Sequence, residues 1–139
     1  MRPESIFAPV AVLVFHTLLV TLYTGYKRFS AGFAGRVKGS DFRYGETANV
    51  PPDVTVANRN LMNLLEVPVL FYVAALASYT TGHVTIVTLY LAWLFVGLRV
   101  VHTFIHIAYN RILYRFAAYA SSCLVLLALW LWFVAAVFG

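Results

Sequence analysis

Three short sets of side chains carry most of the chemistry in this sequence. The first is Arg59, Asn63 and Glu66, within the stretch NRNLMNLLEVPVLFY from Asn58 to Tyr72. On a helix these positions stand at i, i+4 and i+7 and share one face. The second is Arg99, His102, His106 and Tyr109, which recur at helical spacing. The third is Arg115 with Tyr119 one turn later. A guanidinium pairs with a carboxylate through two parallel hydrogen bonds. Glu66 is suited to an ammonium and Asn63 to an amide. An Arg close to a thiol favours the thiolate and raises its nucleophilicity at neutral pH. Together these groups suit a small anionic or zwitterionic ligand.

The same residues admit other readings. They can pair with one another and only tie helix ends together. His102 and His106, with Glu66 nearby, resemble a two-His, one-carboxylate metal set, but the HxxxH signal is common by chance and is not repeated here. A membrane module that binds lipid or a partner needs no defined site at all.

The elements that position these side chains follow from composition. The chain has 139 residues, of which 62% are hydrophobic and 11% charged, and its mean hydropathy is +0.81. A soluble domain carries roughly 25% charged residues, so that class is excluded. Apolar runs predict four spanning helices at about 6–26, 56–79, 84–109 and 112–138, each near the roughly 20 residues a bilayer requires. The first run exceeds a signal-peptide core and is read as a retained helix. His16 within it is expected to bond between helices. The lone Cys123 rules out a disulfide framework and reads as a small buried core residue. Gly32, Gly35, Gly39, Gly45 and Pro51-Pro52 mark about 29–55 as a long surface loop, the kind that often serves as a lid or part of a site. Phe29, Phe33, Phe42 and Tyr44 there, and Trp130 and Trp132 near the far end, are candidate interface anchors.

The net charge of +5 does not point to nucleic acid, because the cations lie in short segments between apolar runs. Lys27, Arg28, Arg36, Lys38, Arg43 and Arg59 flank the first connection, and Arg99, Arg111 and Arg115 flank the third. The Thr80–His83 turn has none. The positive-inside rule then puts both basic sides in the cytoplasm and both termini opposite. The start of helix two, the end of helix three and the start of helix four fall at one membrane face. The three polar sets become neighbours in depth, with Glu66 facing inward.

At these residues the chain resembles the membrane-associated proteins in eicosanoid and glutathione metabolism, the MAPEG family. The resemblance covers the four-helix layout. It is sharpest at Arg59-x-x-x-Asn63-x-x-Glu66, preceded by Pro52-Asp53-Val54, and at Arg99-Val-Val-His102-Thr with Arg115 and Tyr119 beyond. The spacing is similar to that of the prostaglandin synthase branch. The chain departs from that branch at Met62, where a second Arg stands; at His106, where a Tyr contacts glutathione; at Phe116, where a Ser offers a hydroxyl to sulfur; and in the placing of Pro68.

The resemblance implies an all-α integral membrane four-helix bundle that forms a homotrimer and binds glutathione between subunits. It implies a bacterial-type member in the inner membrane, with the site facing the cytoplasm. Arg59, Asn63, Glu66, Arg99, His102 and His106 would bind glutathione, Arg115 would stand close to the thiol, and Tyr119 would line the site as a second catalytic residue. The implied activity is a glutathione-dependent transferase or peroxidase acting on a lipophilic electrophile that arrives from the bilayer, with no metal. The competing expectation is a non-catalytic membrane protein with a polar helix-tying cluster.

Overall fold

The computed structural model describes residues 2–139. A 3-10 turn, Pro3–Ile6, leads into helix α1, Phe7–Phe33. Helices α2, Pro52–Thr80, α3, Ile86–Ala108, and α4, Ile112–Phe138, follow. All four are long and apolar enough to cross a bilayer. The molecule is the all-α membrane bundle its hydropathy predicts.

The helix ends differ from expectation for local reasons. α1 passes Lys27 and Arg28 without a break, because their charges are met from other elements: Lys27 reaches Asp53 at 3.3 Å and Arg28 reaches Glu46 at 3.2 Å. The connection therefore begins after Phe33 and not at 29. α2 begins at Pro52, where a proline is favoured because the first helical N–H has no partner to lose. α3 begins after Thr85, whose hydroxyl accepts from the Thr88 N–H at 3.2 Å. Tyr109 lies just outside α3, and the turn into α4 is made by Asn110 at φ 45°.

α1 packs mainly on α2, and α3 mainly on α4, with α3 also touching α1 and α2. The chain runs up and down. Phe7 meets Tyr79 edge-on at 4.7 Å, and the Trp132 indole N–H donates to the Thr85 hydroxyl at 3.0 Å. These contacts put both ends of the chain beside the uncharged α2–α3 turn. Lys27–Asp53 and Arg36–Asp53 tie the basic connection together at the other end.

The core follows from spacing. Ile6, Leu13 and Val20 recur every seventh residue on α1, as do Leu64 and Phe71 on α2. Phe71 stacks on Phe95 of α3 at 4.8 Å. Outward positions such as Phe15, Leu19 and Leu22 are apolar and exposed, the arrangement a helix adopts against lipid. His16 bonds the Thr103 hydroxyl at 3.0 Å, linking α1 to α3 as its burial in a membrane helix predicts. Cys123 is half-buried and not a core residue; the inward positions near it on α4 are Ser122 and Leu126.

Candidate functional site

The buried stripe of α3 changes character along its length. It begins with Ala92, Phe95 and Val96 and continues in the same register with Arg99, His102, Thr103 and His106, all buried. Burial of charged and polar side chains is favourable only when they find partners. The polar end of this stripe is where the site forms.

A cavity of about 400 Å³ opens there, lined by Arg59, Met62 and Asn63 of α2, His102 and His106 of α3, and Ile112, Arg115, Phe116 and Tyr119 of α4. Its size suits a small-molecule ligand. Residues from three helices that are far apart in sequence therefore share one pocket, at the basic end of the bundle.

Arg115 is held at the mouth by two acceptors. Its Nη1 donates to His106 Nε2 at 3.2 Å and to Asn110 Oδ1 at 3.0 Å. A guanidinium has no acceptor atom, so this contact makes Nε2 the acceptor and puts the imidazole proton on Nδ1. The His102 ring stands edge-on to His106 at 5.5 Å and tilted to Tyr119 at 6.0 Å. Asn63 donates from its amide to the Arg59 carbonyl at 3.0 Å, which aligns both residues along the α2 wall.

Arg99 lies beneath the cavity and not on its surface. It is fully buried. Its Nη2 donates to the backbone carbonyl of Asn63, and its guanidinium lies over the Tyr119 ring at 5.6 Å. Pro68 lacks the N–H that the next carbonyl, Leu64, would normally receive, yet α2 continues as a helix through this point. Among the described residues no carboxylate pairs with Arg99. Its Nε and Nη1, both polar atoms of the Asn60 amide, and Nδ1 of His102 and of His106 are buried without partners. Native structures leave few such groups. These unmet polar atoms belong to His102 and His106, which line the cavity, and to Arg99 and Asn60, which do not.

Glu66 stands apart. Within the single chain it is exposed, amid Met62, Leu65, Val69 and Leu70, which are exposed as well. On an α-helix it lies about 4.5 Å further along the axis than Asn63, and it is not among the residues that line the cavity. No cation pairs with it among the described residues. In the single chain Glu66 is exposed and does not face the bundle interior. Tyr109 is also exposed and packs on Phe104 at 5.9 Å, away from the pocket. Among the described residues no His, Cys, Asp and Glu side chains group closely enough to hold a metal ion, which leaves the His102/His106 pair without the third ligand that the metal reading requires.

A profile of the MAPEG family matches residues 6–135. The chain belongs to the MAPEG family. No curated protein and no solved structure gives a significant match.

In this MAPEG protein Met62 and Phe116, the two apolar departures noted in the sequence, both line the cavity. His106, the third departure, is the direct partner of Arg115. Two contributors escaped sequence reasoning. Ile112 forms part of the wall, and Asn110 supplies an acceptor to Arg115. The signal for Asn110 was its position immediately after a helix, where Asn tolerates positive φ and offers a short side-chain oxygen.

Proposed function

We propose that this pocket binds glutathione and directs its thiolate at a lipophilic electrophile or peroxide arriving from the bilayer. The observation that carries the reading is Arg115, a guanidinium held by His106 and Asn110 on the wall of a cavity that Arg59 and Asn63 share. Family membership supports it, and the Arg59 and Arg115 guanidiniums and the Asn63 amide that line the cavity suit a ligand rich in carboxylates and amides.

In this reading Arg59 and Asn63 hold the peptide part, and Arg115 faces the sulfur. The Arg115 charge favours loss of the thiol proton to solvent. In conjugation the sulfur lone pair forms the new bond to the electrophilic carbon as the leaving group departs with its electrons. Tyr119 and His102 line the same wall. Rate enhancement comes from orientation and preorganised charge. Phe116 and Met62 give the wall an apolar strip suited to a lipophilic second substrate. Glu66 would join the site through a second copy of the chain, in the homotrimer the family resemblance implies. An exposed carboxylate on a spanning helix costs about 2.5–3.5 kcal/mol in the bilayer centre, and a neighbouring subunit would relieve that cost. The basic end would face the cytoplasm.

Titrating glutathione into the purified protein tests the reading, with Arg115→Ala and Glu66→Ala as comparisons. Saturable binding and thiolate absorbance in the intact protein, weakened in both variants, are expected. No binding, or equal binding by all three, overturns it and favours a helix-tying network.

A further inference from the structure

A second cavity of about 400 Å³ lies away from the site, between the end of α1 and the 3-10 turn Gly39–Phe42. Its walls include Arg28, Phe29, Gly32, Phe33, Lys38 and Phe42. None of these residues takes part in the chemistry proposed above.

Among the described residues of the connection, Lys38 and Arg43 are without an ion-pair partner, and of the two Lys38 lines the cavity. In the connection the carboxylates are already engaged. Asp53 is shared by Lys27 and Arg36, and Glu46 pairs with Arg28. Asp41 accepts from the Lys38 backbone N–H at 2.8 Å and from the Thr47 hydroxyl at 3.1 Å. Among the described residues no carboxylate pairs with the Lys38 ammonium. Arg28 stacks over Phe42 at 5.2 Å, and its Nε is buried without a partner. The cavity therefore carries the Lys38 ammonium without an ion-pair partner, beside Arg28, whose charge Glu46 meets.

Depth identifies what can reach it. The apolar part of α1, from Ile6 to Tyr26, is about 30 Å long at 1.5 Å per residue, the thickness of the hydrocarbon core. The last turns, from Lys27 to Phe33, emerge at headgroup level. Phe29 and Phe33 are exposed there, Phe33 at 90%, and form a second shallow cavity with Tyr26. The floor is open, since a Cβ added to Gly32 or Gly39 would meet nothing within 4 Å. We infer that this cavity holds the headgroup of an anionic phospholipid, with the phosphate on Lys38 and Arg28 and the acyl chains along Phe29 and Phe33. The inference does not depend on glutathione binding.

Native mass spectrometry from detergent micelles tests it, with phosphatidylglycerol, phosphatidylcholine and glycerol phosphate as probes. Phosphatidylglycerol is expected to stay bound in preference to phosphatidylcholine, and glycerol phosphate not to bind. Lys38→Gln should weaken phosphatidylglycerol about five-fold or more, while Arg43→Gln, the same charge change outside the cavity, stays within about two-fold. Gly32→Leu fills the cavity without altering charge, places a good helix former in α1, and should abolish retention. Equal retention of phosphatidylcholine overturns the inference, as does retention by Gly32→Leu. Equal losses for Lys38→Gln and Arg43→Gln would mean diffuse attraction, and equal binding of glycerol phosphate a soluble-anion site; either result overturns it. A change in oligomer mass with Gly32→Leu, without a change in bound lipid, would assign this face to a second protein copy and overturn it too.

Discussion

Arg115 donates to His106 Nε2 across 3.2 Å, joining the first turn of α4 to the last turn of α3. The bond fixes where the guanidinium stands in the cavity and which tautomer the imidazole adopts. In the proposed reaction the two residues therefore differ in rank. Arg115→Ala removes the charge facing sulfur and is expected to lower conjugation about 10²-fold. His106→Phe leaves the charge but loses one charge-assisted hydrogen bond, and about a ten-fold loss is expected. Steady-state rates with a lipophilic aryl halide measure both. Equal rates for the two variants would contradict the ranking.

Arg99 predicts a separation of stability from binding. A buried guanidinium without a carboxylate gains little for the empty fold, and an apolar side chain of similar length is often neutral or stabilising in such a place. Arg99→Met should therefore keep or raise the thermal midpoint in detergent while weakening glutathione binding at least about ten-fold. A large drop in the midpoint would make Arg99 a structural residue instead.

The outward position of Glu66 makes a prediction about assembly. If Glu66 of one copy completes the pocket that contains Arg115 of another, two inactive variants can rescue each other. Co-expressed Glu66→Ala and Arg115→Ala chains should form mixed oligomers with some intact sites and measurable activity. Chains purified separately and never mixed should have none. Mixed oligomers without activity would place both residues in one protomer's site.

Asp41 sets the acid limit of the connection between α1 and α2. The backbone N–H of Lys38 holds its carboxyl below the usual aspartate range, with help from the Thr47 hydroxyl and the Asn49 amide. A group whose folded pKa is depressed contributes stability above its unfolded pKa, about 3.9, and loses it as pH falls through the folded value. Proteolysis of residues 34–51 should then be slow and constant from neutral pH to about pH 4 and accelerate below it. Asp41→Ala should be cut faster at neutral pH and lose that acid dependence. An unchanged acid profile in the variant would remove Asp41 from this role.

The number of helices, their alternation and the meeting of Arg59, Asn63, His102, His106, Arg115 and Tyr119 were legible in the sequence, because apolar run length and the placing of cations fix depth. Position along a helix axis was less legible. Arg59 and Glu66 do share a face, but Glu66 lies about 4.5 Å further along α2 than Asn63 and is not among the residues that line the cavity. Helix ends were hidden where ion pairs replaced caps, as at Lys27 and Arg28. The Asn110–Arg115 contact depends on one backbone dihedral, which composition does not report. Arg99 was legible as a site residue but not as one buried beneath the wall, since that depends on the carbonyl of Asn63.

No wall of the catalytic candidate comes from α1. Its side chains supply packing, one hydrogen bond to Thr103 and the anchors at its basic end. Within the single chain, the outward residues of this helix do not touch that cavity. Their size and hydrophobicity can be retuned to a thicker or thinner bilayer, or to a different lipid population, with α2, α3 and α4 left untouched. Within the single chain, α1 is the helix on which a change of outward side chains leaves the lining of that cavity as it is.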